Sequence, residues 1–198
     1  MKIQMAGIDY KTASIEIREK LSYTTSEVRT LLSRIKNNSS VSGVAIISTC
    51  NRTEIYISYD ELYDDIDPIE VFFEAAKLND IDLKRIFYTK NELDACIYLF
   101  ELACGIHSMI FGEDQIISQV KDAIHIANEE DASDATLNTL FRCAVTCAKK
   151  VKTQLVLRSV CPSSAKQTVE VLNHYLSANI ERKALVIGNG VIGRMVCE

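Results

Sequence analysis

The sequence predicts an α+β fold: a ferredoxin-like βαββαβ unit, then a helical bundle, then the truncated start of a Rossmann-type α/β domain. Three observations predict it. Short apolar runs alternate with helix-forming segments over the first 90 residues. From Asn91 the apolar residues recur at helical spacing. Near the end, an apolar run leads into Gly188-x-Gly190-x-x-Gly193, a spacing that suits a phosphate-binding turn. The expected parts are residues 1–90, 91–160, and 161–198, the last holding a linking helix and the start of a nucleotide-binding domain.

Lys2 to Ile8 alternates like a strand. Ser14 to Leu21 adds a helical turn, and Thr24-Thr25-Ser26-Glu27 matches a capping box, with Val28, Leu31, Leu32 and Ile35 following on one helix face. Val44 to Thr49 and Glu54 to Tyr59 read as paired strands around a Cys-Asn-Arg turn. Pro68 opens a second helix reaching about Leu78, and Ile86 to Tyr88 is the expected fourth strand. Three amphipathic helices follow: Leu93 to Ala103, a stretch carrying Ile116, Val120, Ala123 and Ile124, and one carrying Leu137, Phe141, Ala144 and Ala148. Leu93, Ile97, Phe100 and Ala103, with Cys96 and Cys104, form the expected apolar stripe of the first. A further helix runs from Ser164 to about Ala178, and Ala184 to Ile187 reads as a buried strand.

Composition narrows the class. The chain has 198 residues, 47% of them hydrophobic, enough for one or two cores, and no apolar run approaches the roughly 20 residues of a membrane span. Seven cysteines, an odd number without a CxxC pair, point to a reducing compartment, and the expected location is the cytoplasm. No metal site is expected, because Cys143 and Cys147 have no closely spaced histidine beside them and fit core packing. The net charge is −5, yet between Asp134 and Glu170 there are no acids, while Arg142, Lys149, Lys150, Lys152, Arg158 and Lys166 fall there. Such a stretch either tracks phosphates or counters helix dipoles. Asp60 to Asp82 is acid-rich and would repel nucleic acid.

Cys50 stands out chemically. It follows the apolar run Val44 to Ile47 and lies two residues before Arg52, so that a strand end would present a thiol and a cation together. A cation favours the thiolate, the nucleophilic form, and a guanidinium fork fits a carboxylate. That pattern points to acyl transfer, whereas a lone cysteine otherwise serves as a small core residue.

Four segments carry a further signal: GIDYKTASIEIREKL at 7–21, STCNRTEIY at 48–56, YLFELACGIHSMIFGEDQIISQVKDA at 98–123, and LVIGNGVIG at 185–193. In this order they resemble the blocks of glutamyl-tRNA reductase, the enzyme that starts tetrapyrrole synthesis from glutamate. The resemblance implies that Cys50 attacks the ester of glutamyl-tRNA(Glu) and holds glutamate as a thioester, which a hydride from NADPH releases as glutamate-1-semialdehyde. It also implies substrate binding by Thr49, Asn51, Arg52, Ser108, Glu113, Asp114, Gln115, Gln119 and Ser163, with Arg52 anchoring the glutamate carboxylate. For Glu113 a helix N-terminal role, and for Ser163 a capping role, are equally good readings. By the same resemblance Gly188, Asn189, Gly190, Val191, Ile192 and Gly193 would hold NADPH.

Partners implied are glutamyl-tRNA, glutamate-1-semialdehyde aminomutase, and a second subunit joined through a region beyond residue 198. As a truncated piece, the chain is expected to form the thioester without hydride transfer. It departs from the family pattern at Tyr98, where histidine is usual, at His107, where aspartate is usual, at Tyr10, where histidine is usual, and in lacking glycines over 155–162. Either the histidine's role is dispensable, or His107 supplies it, or activity is reduced. The competing readings are a non-catalytic tRNA- or protein-binding relative and a thiol-dependent aldehyde dehydrogenase acting on a free substrate.

Overall fold

A computed structural model of the chain describes residues 1–62, 66–113, 115–154, 164–175, 185–188 and 191–197. Its centre is a four-stranded antiparallel sheet of β1 (Lys2–Asp9), β2 (Gly43–Ser48), β3 (Arg52–Tyr59) and β4 (Tyr88–Asn91), in the order β2-β3-β1-β4. The central strand β3 pairs with β1 from Lys2↔Tyr59 to Asp9↔Arg52 and with β2 from Gly43↔Ser58 to Ser48↔Thr53. It is buried along its whole length, because helices cover both faces of the sheet.

Between β1 and β2 lie α1 (Ile15–Lys20) and α2 (Thr25–Lys36). The capping box is present as the sequence predicts: Glu27 N–H donates to Thr24 Oγ1, and the Thr24 N–H donates to the Glu27 carboxylate at 2.8 Å. Val28, Leu31, Leu32 and Ile35 are buried as expected. Between β3 and β4 come α3 (Pro68–Ala76) and α4 (Ile81–Arg85). On one face, α3 packs against β1 and β3, and Thr53 Oγ1 donates to the Leu21 carbonyl ahead of α2 at 2.7 Å. On the other face lie α5 (Glu92–Ala103) and α7 (Ala135–Gln154), with Tyr56 of β3 set edge-on to Phe141 of α7 at 5.3 Å. Helix α6 (Gln115–Glu129) runs along β2, whose Val44 N–H donates to the Ala132 carbonyl at 2.8 Å. A covered edge offers no template for strand addition.

Four expectations are corrected. The fourth strand starts at Tyr88 instead of Ile86, because Asp80 caps the N–H groups of Asp82 and Leu83 and winds the preceding segment into α4. In α5 the buried residues are Ala95, Tyr98, Leu99, Leu102 and Ala103, while Leu93 and Ile97 are exposed. That helix is apolar on most sides, so its packing against β1 and α7, which periodicity cannot foresee, selects the buried face. Residues 185–188 are irregular backbone, with Leu185 and Ile187 exposed, instead of the buried strand expected at 184–187. A strand needs a partner, and among the described residues none pairs with this run. Cys143, expected in the core, is also exposed.

The chain ends with α8 (Ser164–Tyr175) packed against α9 (Val191–Cys197). Among the described residues, no helix is long and apolar enough to cross a membrane.

Candidate functional site

The β2–β3 turn is held from several sides. Thr49 Oγ1 accepts from the N–H groups of Asn51 and Arg52, both at 3.2 Å, and the Thr49 N–H donates to the Arg52 carbonyl at 2.8 Å. Threonine at this position is a turn former because its hydroxyl satisfies backbone donors two and three residues on. Cys50 sits at the exposed tip. From α1, the Arg18 guanidinium donates to the Cys50 carbonyl at 2.8 Å and to Asn51 Oδ1 at 2.9 Å, and its Nε–H donates to the Ala13 carbonyl at 3.3 Å. The thiol is thus carried on a backbone fixed at both ends.

Arg52 does not stand beside that thiol as an open fork, which corrects the expected carboxylate anchor. Its side chain is 2% exposed; Nη1 donates to Glu54 Oε1 at 2.8 Å and to Tyr98 Oη at 3.1 Å, and Nη2 donates to the His107 carbonyl. Arg52 and Glu54 are two apart on a strand, so they share a face, and a carboxylate there draws the guanidinium inward. Burial works against the charged guanidinium, but the Glu54 charge and hydrogen bond outweigh it and hold Arg52 above its ordinary value. The pattern Arg-x-Glu inside a strand was the available signal for this pair. Arg18 had no such signal, being 32 residues from Cys50 in sequence.

Three tyrosines complete the buried carboxylate's surroundings. Glu54 Oε1 accepts from Tyr88 at 3.0 Å and Tyr98 at 2.9 Å, and Oε2 accepts from Tyr56 at 3.0 Å. A fully buried carboxylate persists only with this kind of satisfaction. Burial, then the Glu54 charge, pushes all three phenols above their ordinary value, so they remain neutral donors at neutral pH. Tyr98 therefore serves as a hydrogen-bond donor, not as a proton carrier. His107 stacks on it, ring centroids 4.6 Å apart, with Nε2 2.7 Å from Glu101 Oε2. The two residues singled out from sequence meet in space.

Next to His107, Ser108 is 5% exposed, and its Oγ has no hydrogen-bond partner among the described residues. A buried hydroxyl without a partner is a group waiting for a ligand or water. It lies on a tight loop in which Gly112 N–H donates to the Gly105 carbonyl at 3.0 Å. Gly105 has φ +81, and a Cβ there would come 2.9 Å from Gly112 Cα, so this position requires glycine. The Arg52 bond to the His107 carbonyl ties this loop to the base of the Cys50 turn.

Of the remaining residues, Glu113 is half-buried and its carbonyl accepts from Lys152 Nζ at 2.8 Å; Gln115 is exposed at the start of α6. Gln119 is half-buried and lines a hollow of about 180 Å³ with Tyr23 and Ser48, at the end of β2 that leads into the turn. Asp114, Ser163, Asn189 and Gly190 lie outside the described residues. Gly188 has φ +121, and a Cβ on Gly193 would collide with the Gly188 carbonyl oxygen, so both are conformationally or sterically required. Val191 and Ile192 open α9. Among the described residues no group of three or more His, Cys, Asp or Glu could hold a metal ion.

The family described as glutamyl-tRNAGlu reductase, N-terminal domain, matches residues 6–155. The chain is similar to a glutamyl-tRNA reductase of Acetivibrio thermocellus, 46% identical over 197 residues, covering 99% of this chain and 58% of that protein. A glutamyl-tRNA reductase of Alkaliphilus oremlandii is 42% identical, with 99% and 58% covered. The chain therefore spans little more than half the length of these curated relatives. Among solved structures, glutamyl-tRNA reductase from Methanopyrus kandleri superposes with a TM-score of 0.68 at 27% identity, covering 98% of this chain and 45% of that one.

Proposed function

Because the chain belongs to the glutamyl-tRNA reductase family, we propose that it is the acyl-accepting part of an NADPH-dependent glutamyl-tRNA reductase of the cytoplasm. Its sheet order supports the ferredoxin-like reading of residues 1–90, with α2 and α3 as the two crossover helices. The observation that carries the functional reading is Cys50 exposed on a turn clamped by Thr49 and Arg18.

In the first step the Cys50 thiolate attacks the ester carbonyl of glutamyl-tRNA. A carbon–sulfur bond forms, the bond to the terminal ribose oxygen breaks, and that oxygen takes up a proton. His107, stacked on Tyr98, is the imidazole suited to move it. Ser108 Oγ, unpartnered and buried, would donate to the glutamyl group, with Asn51 and Gln119 on the turn side. Arg52 acts from beneath, fixing the His107 carbonyl and with it the position of Ser108. Gly188, Gly190 and Gly193 would admit the cofactor pyrophosphate, and Asn189, Val191 and Ile192 would flank it. NADPH, when bound, supplies the hydride that converts the thioester to the aldehyde and returns the thiolate.

The test is to mix the chain with glutamyl-tRNA carrying labelled glutamate, quench in acid, and locate the label by mass spectrometry. The expected result is one glutamyl group on Cys50, absent in Cys50→Ser. Label on another residue, or equal labelling of Cys50→Ser, would sink the proposal.

A further inference from the structure

We propose that the groove between α6 and α7 is a docking face for an RNA sugar–phosphate backbone that leads toward the Cys50 end of the domain. It rests on the reading of the chain as acting on an aminoacyl-tRNA. The groove, about 550 Å³, has Ile124, Phe141 and Val145 among its lining and Lys121, Arg142 and Lys149 around it, with no acid in its wall. These cations are exposed, and among the described residues none forms an ion pair.

Helix dipoles do not account for this arrangement. The macrodipole acts within the last turn, whereas Arg142 lies mid-way along α7 and Lys121 mid-way along α6. Asp122 follows Lys121 on α6 but lines the separate hollow with Gln119 and Ser48, and the acids at the α6–α7 connection are engaged: Glu129 and Glu130 by Arg29, Asp131 by Lys36 at 3.8 Å, and Asp134 as acceptor from the Leu137 N–H at 2.8 Å. The acids Asp67, Glu70, Glu74, Asp80 and Asp82 sit on or beside α3 and α4, whose sheet face is opposite that of α7. Acids also occur on α5 and α6, among them Glu92, Asp94, Glu101 and Asp122, but none of them lines the groove.

Direction adds the second argument. Helix α7 begins beside the start of β2, where a Cβ on Gly43 would be 2.8 Å from the Asp134 N–H nitrogen. It ends beside Glu113, ahead of α6, whose Gln119 adjoins Ser48 at the end of β2. From Arg142 to Lys152 the helix advances about 15 Å toward the turn that carries Cys50. A duplex laid on this stripe would have its free end pointing at the thiol. An acidic protein is the competing occupant, but cations spaced along α7, with Lys121 of α6 across the groove, suit a regularly charged backbone better.

The experiment uses fluorescence anisotropy of labelled, uncharged tRNA(Glu) between 50 and 300 mM salt. It compares the unaltered chain, the triple variant Lys121→Gln/Arg142→Gln/Lys149→Gln, and the opposite-face control Lys84→Gln/Arg85→Gln. The rate of Cys50 alkylation by iodoacetamide and circular dichroism verify that each variant is folded with its turn intact. The proposal expects the triple variant to bind at least about tenfold more weakly, with a salt slope smaller by roughly 2 to 3, and the control to bind normally. Equal loss in the control, or an unchanged slope in the triple variant, overturns it and leaves the Cys50 chemistry standing. A changed sedimentation coefficient with unchanged RNA affinity overturns it in favour of a protein interface. Failure of the unaltered chain to bind the tRNA at all overturns it too, and only the missing Cys50 adduct would extend that failure to the proposed function.

Discussion

The two faces of β3 differ sharply although both are fully buried. One face carries Thr53, Ile55, Ile57 and Tyr59, closed over by α2 and α3; the other carries Arg52, Glu54, Tyr56 and Ser58 under α5 and α7. The first face stabilises by removing apolar surface from water, a non-directional gain. The second must satisfy a charge pair and three phenols, and each bond fixes a direction: Arg52 to the His107 carbonyl, Tyr98 to Glu54, Tyr98 against His107. A buried ion pair is weak evidence for stability, but it places the groups it binds. One strand thus separates holding the fold from aiming the site.

Breaking the polar face gives the largest expected effect. Glu54→Ala strands the Arg52 charge and should cost about 3 to 5 kcal/mol in urea unfolding, whereas Arg52→Met/Glu54→Leu should recover most of that stability. Failure of the double variant to exceed Glu54→Ala would mean that the face is also needed for folding. The apolar face should respond less specifically: Ile57→Ala should cost about 2 to 5 kcal/mol through cavity formation, with the Cys50 adduct still formed. Loss of the adduct in a folded Ile57→Ala protein would erase the division of labour. Tyr98→Phe removes one donor to Glu54 and should cost about 1 to 2 kcal/mol.

The same network sets an alkaline limit. Tyr56, Tyr88 and Tyr98 have folded values raised above the ordinary phenol value of 10.0, so the unfolded chain releases these protons first. Stability is full below pH 10 and falls as pH rises beyond it. Tyr98→Phe should flatten that fall, measured as the unfolding midpoint between pH 9 and 11. The smallest stability effect belongs to Arg18→Ala, under about 1 kcal/mol at this half-exposed position. It should nevertheless cut the yield of Cys50 adduct several-fold by loosening the turn, and an unchanged yield would remove Arg18 from the site.

Legibility in the sequence followed the range of the interactions. The Thr24–Glu27 box, the strand β1 and the Thr49–Arg52 turn are set locally and are readable, although β1 is buried on both sides from Gln4 onward instead of alternating. The shift of β4 was hidden because the Asp80 cap decides it and the strand itself is short and half-exposed. The buried side of α5 depends on which neighbours arrive, and a helix apolar on most sides does not announce them. The setting of Cys50 is legible, but the neighbouring Arg52 turns inward to Glu54, and the cation that holds the Cys50 backbone is Arg18 of α1, which no local pattern announces.

The bond between the Val44 N–H and the Ala132 carbonyl has a consequence for the order in which the chain is made. The four strands are all synthesised once Asn91 is added, but the outer rim of β2 stays open until residue 132 follows. At roughly 5 to 20 residues per second, that leaves about 2 to 8 seconds on each ribosome during which neighbouring nascent chains can pair through β2. The cover of β2 is made only after all four strands, so the spacing of ribosomes on the message sets how often two unfinished copies meet.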